Sequence, residues 1–129
     1  MRIDRYFQAM GDVIAQCLVL QTFKISYEKR GADAGMVRGE LTFVDGTILH
    51  FREYVEVETQ VVRLMYTYHY MDAHNQLIFR YDNTGHHRKL GLPTYPHHKH
   101  QGAEDNVVPS SAPDLAEVLE EITRRVGLP

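Results

Sequence analysis

One cysteine in 129 residues has nothing to pair with, which excludes a disulfide within the chain and a zinc site built from cysteines. No apolar run approaches the roughly 20 residues that a transmembrane helix needs. The charged, amphipathic start from Met1 to Arg5 lacks the form of a signal peptide. No internal repeat and no low-complexity tail is visible. Strong charge of one sign is missing as well: a formal net charge of −3 argues against a protein coated in positive charge to wrap duplex DNA. These absences leave the expectation of a cytoplasmic globular protein, with residues 1–129 forming a single domain and no membrane contact.

What is present first is periodicity. Ile3, Phe7, Met10, Ile14, Cys17 and Leu18 recur at intervals of three and four, predicting a helix over Ile3–Gln16 with the Cys17 thiol on its apolar side. Alternation then takes over, with Phe23, Ile25 and Tyr27 on one face of a strand. Gly31–Gly35 turns the chain, a second strand runs over Met36–Val44, and Asp45-Gly46 reads as a two-residue hairpin turn into a third over Thr47–Val57. Val62, Leu64, Tyr66, Tyr68 and Tyr70 alternate against Arg63, Met65, Thr67 and His69 in a fourth strand, Val61–Met71. Leu77–Asp82 makes a fifth. After Asn83 the pattern stops in a loop of about 27 residues that carries Gly85, Gly91, Pro93, Pro96, Gly102 and Pro109. A final helix is marked by Leu115, Val118, Leu119, Ile122 and Val126. Ser111 and Asp114 resemble a capping box at its start, with Pro113 in the first turn, and Gly127 fits the C′ position. The expected fold is α+β: an antiparallel five-stranded meander sheet with an N-terminal and a C-terminal helix packed on one face.

The polar residues that break these patterns are the candidates for chemistry. Glu53 shares the parity of Leu49, Phe51, Val55 and Val57, so its carboxylate should point to the apolar face, where it needs a partner: a functional role, or an ion pair with an inward arginine. Tyr66, Tyr68 and Tyr70 stripe one strand face, either as core rings or as platforms for unpaired bases. Arg80 and Asp82 fall on one face of the fifth strand, where they pair with each other or meet a ligand; Asn83 suits a ligand contact or a turn equally.

The window from Arg80 to His100 is a basic patch on a mildly acidic protein. It sets Arg80, Arg88, Lys89 and Lys99 against the single acid Asp82 and holds five of the eight histidines: His86, His87, His97, His98 and His100. Imidazole exchanges protons near neutral pH, and a neighbouring cation offsets charge developing on a phosphate. Two histidines and a cation suffice for RNA cleavage without a metal: one imidazole deprotonates the 2′-hydroxyl and the other protonates the leaving 5′-oxygen. The same side chains, with Asp82 adding an oxygen ligand, could instead bind zinc or nickel. The spacing is not that of His-Glu-x-x-His, and the interleaved Lys99, Arg88 and Lys89 repel a dication. Solvated loop histidines with no role are the remaining reading.

The order Phe51-Arg52-Glu53-Tyr54-Val55, Tyr66-Thr67-Tyr68-His69, Ile78-Phe79-Arg80-Tyr81-Asp82-Asn83, His86-His87 and Pro96-His97-His98-Lys99-His100 resembles the TumE family of toxin–antitoxin system proteins. The likeness covers nearly the whole chain, including Asp45-Gly46 and Val107-Val108-Pro109-Ser110. It implies a toxin encoded beside an antitoxin that neutralises it, and it brings no catalytic residue set with it. Side-chain chemistry then leads to the expectation of a metal-independent endoribonuclease needing no cofactor. Two of His86, His87, His97, His98 and His100 would supply acid and base, Lys99 and Arg80 would hold the phosphate, and Glu53 and Asp82 would orient imidazoles or assist as base. Asn83, Tyr66 and Tyr68 would line the RNA site. The alternatives are a metal-dependent hydrolase or transferase at the same cluster, and a non-catalytic module that binds nucleic acid or a partner. An exposed edge strand would make a homodimer.

Overall fold

The computed structural model describes residues 2–85 and 90–127. The chain runs α1 (Ile3–Ala15), β1 (Leu20–Lys29), β2 (Ala34–Phe43), β3 (Ile48–Glu56), β4 (Val62–Met71), β5 (Leu77–Asp82), β6 (His98–Gln101), β7 (Val107–Pro109) and α2 (Leu115–Val126). The strands form one antiparallel sheet in sequential order β1 to β7. The architecture is the expected α+β meander, but the sheet has seven strands rather than five. The two additional strands come from the segment read as a long loop: β6 pairs with β5 from Phe79↔Gln101 to Asp82↔His98, and β7 pairs with β6. They are four and three residues long, too short for alternation to show.

Both helices cover one face. Ile3, Phe7, Met10 and Ile14 of α1 and Leu115, Val118, Leu119 and Ile122 of α2 pack against Val37, Leu41, Leu49, Phe51, Val55, Tyr66, Tyr68, Tyr70 and Phe79 of the sheet. Gly39 is needed there because a Cβ would stand 2.2 Å from the Phe51 ring across the β2–β3 ladder. The helix α1 stops at Ala15, so Cys17 lies in the following turn, half-buried against the core. The cap of α2 is Asp114, which accepts from Glu117 N at 2.9 Å while Glu117 Oε1 accepts from Asp114 N; Ser111 and Pro113 therefore precede the helix. The β2–β3 hairpin has a three-residue loop, closed by Phe43 N donating to Thr47 O at 2.9 Å, with Gly46 at φ 87°.

Two departures from simple alternation matter for the site. In β4 the register passes from Tyr54↔Met65 to Val55↔Arg63, so Leu64 is an extra residue. The bulge turns Arg63 toward the helix layer and leaves Leu64 51% exposed, although periodicity groups Leu64 with the buried tyrosines. The edge strand β1 is only partly covered: Phe23 is 57% and Tyr27 42% exposed. Among the described residues no helix is long and apolar enough to cross a membrane.

Candidate functional site

The sheet separates the candidate residues into two groups, one on each face. On the helix face Glu53 is fully enclosed, as its parity requires. The hydroxyls of Tyr6 and Tyr68 both donate to its carboxylate. Burial raises the Glu53 pKa, opposed by those two donors and by the Arg63 charge. Arg63 donates to Tyr68 Oη at 3.1 Å, Pro113 O at 2.7 Å and Ala112 O at 2.8 Å, and its guanidinium lies 4.2 Å from the Tyr66 ring centre. Tyr66 Oη in turn meets His97 Nδ1 at 2.7 Å, and the two rings stack at 5.8 Å. A continuous polar chain therefore runs from Glu53 in the core to half-buried His97. Burial, with Arg63 and His98 nearby, lowers the His97 pKa and favours the neutral ring; in the tautomer whose Nδ1 donates to Tyr66 Oη, Nε2 is the nitrogen that takes a proton.

The tyrosines are core residues. Tyr66, Tyr68 and Tyr70 are buried against Phe51, Phe43 and Phe79, which closes their faces to stacking bases. Tyr66 alone reaches a histidine. Lys99 also belongs to this face: it sits 4.7 Å from the Tyr81 ring centre and 3.6 Å from Glu121 of α2. Strand alternation in β6 sends it through the sheet, away from His98 and His100, which a loop reading could not foresee.

On the opposite face Asp82, His98, His100 and Arg80 come together. His98 Nε2 lies 2.8 Å from Asp82 Oδ1, and His100 Nε2 3.9 Å from Asp82 Oδ2. Arg80 donates from Nε to Asp82 Oδ2 at 3.2 Å, from Nη1 to Glu104 at 2.7 Å, and from Nη2 to His100 Nε2 at 3.1 Å. Each imidazole is oriented by a carbonyl at Nδ1: Pro96 O at 3.0 Å for His98 and Glu104 O at 2.7 Å for His100. Both rings are only 2% exposed, whereas Arg80 and Glu104 stand at the rim. Burial lowers the His100 pKa, and the hydrogen bond from Arg80 lowers that of Glu104. Asn83 serves β4 instead: its Oδ1 accepts from Tyr66 N at 3.0 Å and its Nδ2 donates to Leu64 O, next to the bulge. His86 and His87 lie outside the described residues.

The cluster belongs to a larger polar surface. Register places Glu40, His50, His69, Arg80 and His100 in one row across β2 to β6, and Arg38, Arg52, Thr67, Asp82 and His98 in the next. Among the described residues no helix covers this face. Tyr6, Arg63 and Glu104 were not apparent in the sequence, because Glu53, the Ala112 and Pro113 carbonyls and Arg80, which they respectively meet, lie 24 to 50 positions away. A stronger signal was available for His50 and His69, polar residues on the solvent-facing parity of β3 and β4.

Asp82, His98 and His100 can also be considered as metal ligands, since one donor atom from each lies within 4.8 Å of the others. Their Nδ1-to-carbonyl bonds are the outer-shell pattern of metal-bound histidines. The donor set fits zinc or another first-row dication, with the Arg80 guanidinium competing for the same pole.

A mixed α+β protein with a buried carboxylate, two imidazoles and a guanidinium on an open sheet face has the groups for acid–base chemistry on an anionic ligand. Residues 10–126 match the family model described as Toxin TumE, and the chain belongs to that family. It is thus a toxin component of a toxin–antitoxin system, with a cognate antitoxin as partner. Comparison with curated proteins and with solved structures gives no match.

Proposed function

We propose that this toxin cleaves RNA in the cytoplasm without a metal, using the open sheet face and its β5–β6 end. The observation that carries the reading is the 2.8 Å approach of His98 Nε2 to Asp82 Oδ1 beside the Arg80 guanidinium. A carboxylate that orients an imidazole, next to a fixed cation, is the equipment for proton transfer at a phosphodiester. His97, neutral and half-buried just before β6 at the end of the sheet, takes the proton of a ribose 2′-hydroxyl that reaches it round that end. The 2′-oxygen bonds to phosphorus, the bond to the 5′-oxygen breaks, and that leaving oxygen takes the Nε2 proton that His98 otherwise shares with Asp82 Oδ1. Arg80, held from behind by His100 Nε2, faces the charge that builds on the non-bridging oxygens. The products are a 2′,3′-cyclic phosphate and a 5′-hydroxyl, with no other reactant consumed.

Induction of the wild type and of His97→Ala, His98→Gln and Arg80→Ala variants, followed by growth and RNA integrity, tests this reading. The wild type should arrest growth and fragment RNA, and each variant should lose both. Three variants as toxic as the wild type would place the chemistry elsewhere.

The convergence of Asp82, His98 and His100 favours a second reading, in which the same cluster holds a divalent ion that activates water. Dialysis against a chelator separates the two: activity lost and then restored by one added dication overturns the metal-free mechanism. A homodimer through the open ten-residue edge of β1, where Phe23 and Tyr27 are exposed, completes the proposal; light scattering on the purified toxin measures it.

A further inference from the structure

The open sheet face holds two arginines that the chemistry above does not use. Arg38 of β2 and Arg52 of β3 are direct cross-strand partners. Opposed residues in an antiparallel pair stand about 5 Å apart at Cβ, and like charges there repel. Among the described residues no carboxylate forms an ion pair with either: Glu40, the acid beside them, lies 3.9 Å from His50 Nε2 instead. Both arginines line a cavity of about 340 Å³, together with Glu40, His50, His69 and Thr67. Two arginines opposed at one register position and lining one cavity, with the Thr67 hydroxyl between them and the acid–imidazole pair, supply the donors for a two-armed seat around one phosphate.

We infer that Arg38 and Arg52 form a phosphate-binding subsite, which seats a backbone phosphate of single-stranded RNA flanking the one that is cut. This rests on the RNA-cleaving reading and adds where the strand lies. The row Arg52, Thr67, Asp82, His98 is continuous in register. Neighbouring strands are about 4.8 Å apart, which sets Arg52 roughly 10 Å from Asp82, a neighbouring-nucleotide separation rather than direct contact with the scissile group. The subsite therefore contributes to binding and register, not to proton transfer.

The test uses the full-length toxin and a fluorescent 2′-O-methyl oligouridylate, which binds but cannot be cleaved, titrated at several salt concentrations. Arg38→Gln/Arg52→Gln should weaken binding about tenfold and reduce the salt slope by about 0.7, the value for one phosphate lost from a single strand. Arg38→Lys/Arg52→Lys should keep the slope and lose part of the affinity. Both variants should unfold in urea no earlier than the wild type, since the substitutions remove or soften a repulsion. A glutamine variant that binds with the wild-type slope and affinity overturns the subsite, as does a wild type that leaves the oligomer unbound. A wild type that binds it in this arginine-dependent way but cuts no RNA supports the subsite and defeats the nuclease reading.

Discussion

His98 and Asp82 face each other across the β5–β6 ladder, Nε2 to Oδ1 at 2.8 Å, and both are buried. Asp82 Oδ1 also accepts from Thr84 N and Oγ1, so the carboxylate is fixed before any ligand arrives. Asp82→Asn preserves the shape and removes the charge. It should slow single-turnover RNA cleavage by about a hundredfold or more, with circular dichroism unchanged. Cleavage at the wild-type rate would remove this pair from the mechanism.

Lys99 stands between His98 and His100 in the chain but contacts Glu121 and the Tyr81 ring on the other face. Lys99→Ala should leave RNA affinity and toxicity within twofold of the wild type and cost about 1 kcal/mol of stability from the lost cation–π and ion-pair contacts. Urea unfolding and a binding titration read the two effects separately. A large loss of RNA affinity with stability intact would contradict this placement.

Glu53→Ala leaves the buried Tyr6 and Tyr68 hydroxyls without their acceptor and opens a cavity, so a loss of about 2–4 kcal/mol is expected in urea unfolding. The raised pKa of Glu53 sets the pH dependence. The folded state holds the proton more tightly than the unfolded chain, so this contribution is largest below the ordinary value of 4.5 and is lost as pH rises through the folded value. Relative to Glu53→Gln, the wild type should gain stability as pH falls from neutral toward 4.5.

His69 and His97 behave in the opposite sense. Burial lowers both, helped by Arg80 for His69 and by Arg63 for His97. Their contribution is present above the ordinary value of 6.5 and is lost as pH drops through the lowered folded values. Relative to His69→Gln, the wild type should therefore lose stability in urea unfolding on acidification from about pH 7 to about pH 5. Over the same range cleavage should fall as His97 gains its proton and ceases to act as a base.

Periodicity carried much of the fold: α1, α2 and strands β1 to β5 are where spacing of apolar residues puts them, within a few positions. The inward Glu53 was legible for the same reason, since one carboxylate among four apolar residues of equal parity stands out. What spacing could not carry was β6. A strand of four residues has no readable alternation, so His97, His98, Lys99 and His100 looked like one cluster.

By itself, the sequence determined the α+β class, the membership signalled by its ordered motifs, and the concentration of imidazole and cation between Arg80 and His100. Tertiary structure alone decided the division of that window between two faces: His98 and His100 with Asp82 and Arg80 on one, and Lys99 with Glu121 on the other. It also decided that Arg63 faces inward, through a single extra residue at Leu64. The physical reason is shared. A short strand and a bulge exist only because a neighbouring strand supplies hydrogen bonds, across 8 to 11 positions at the β3–β4 bulge and 16 to 22 between β5 and β6, and the direction of each side chain follows from that pairing rather than from the residues beside it.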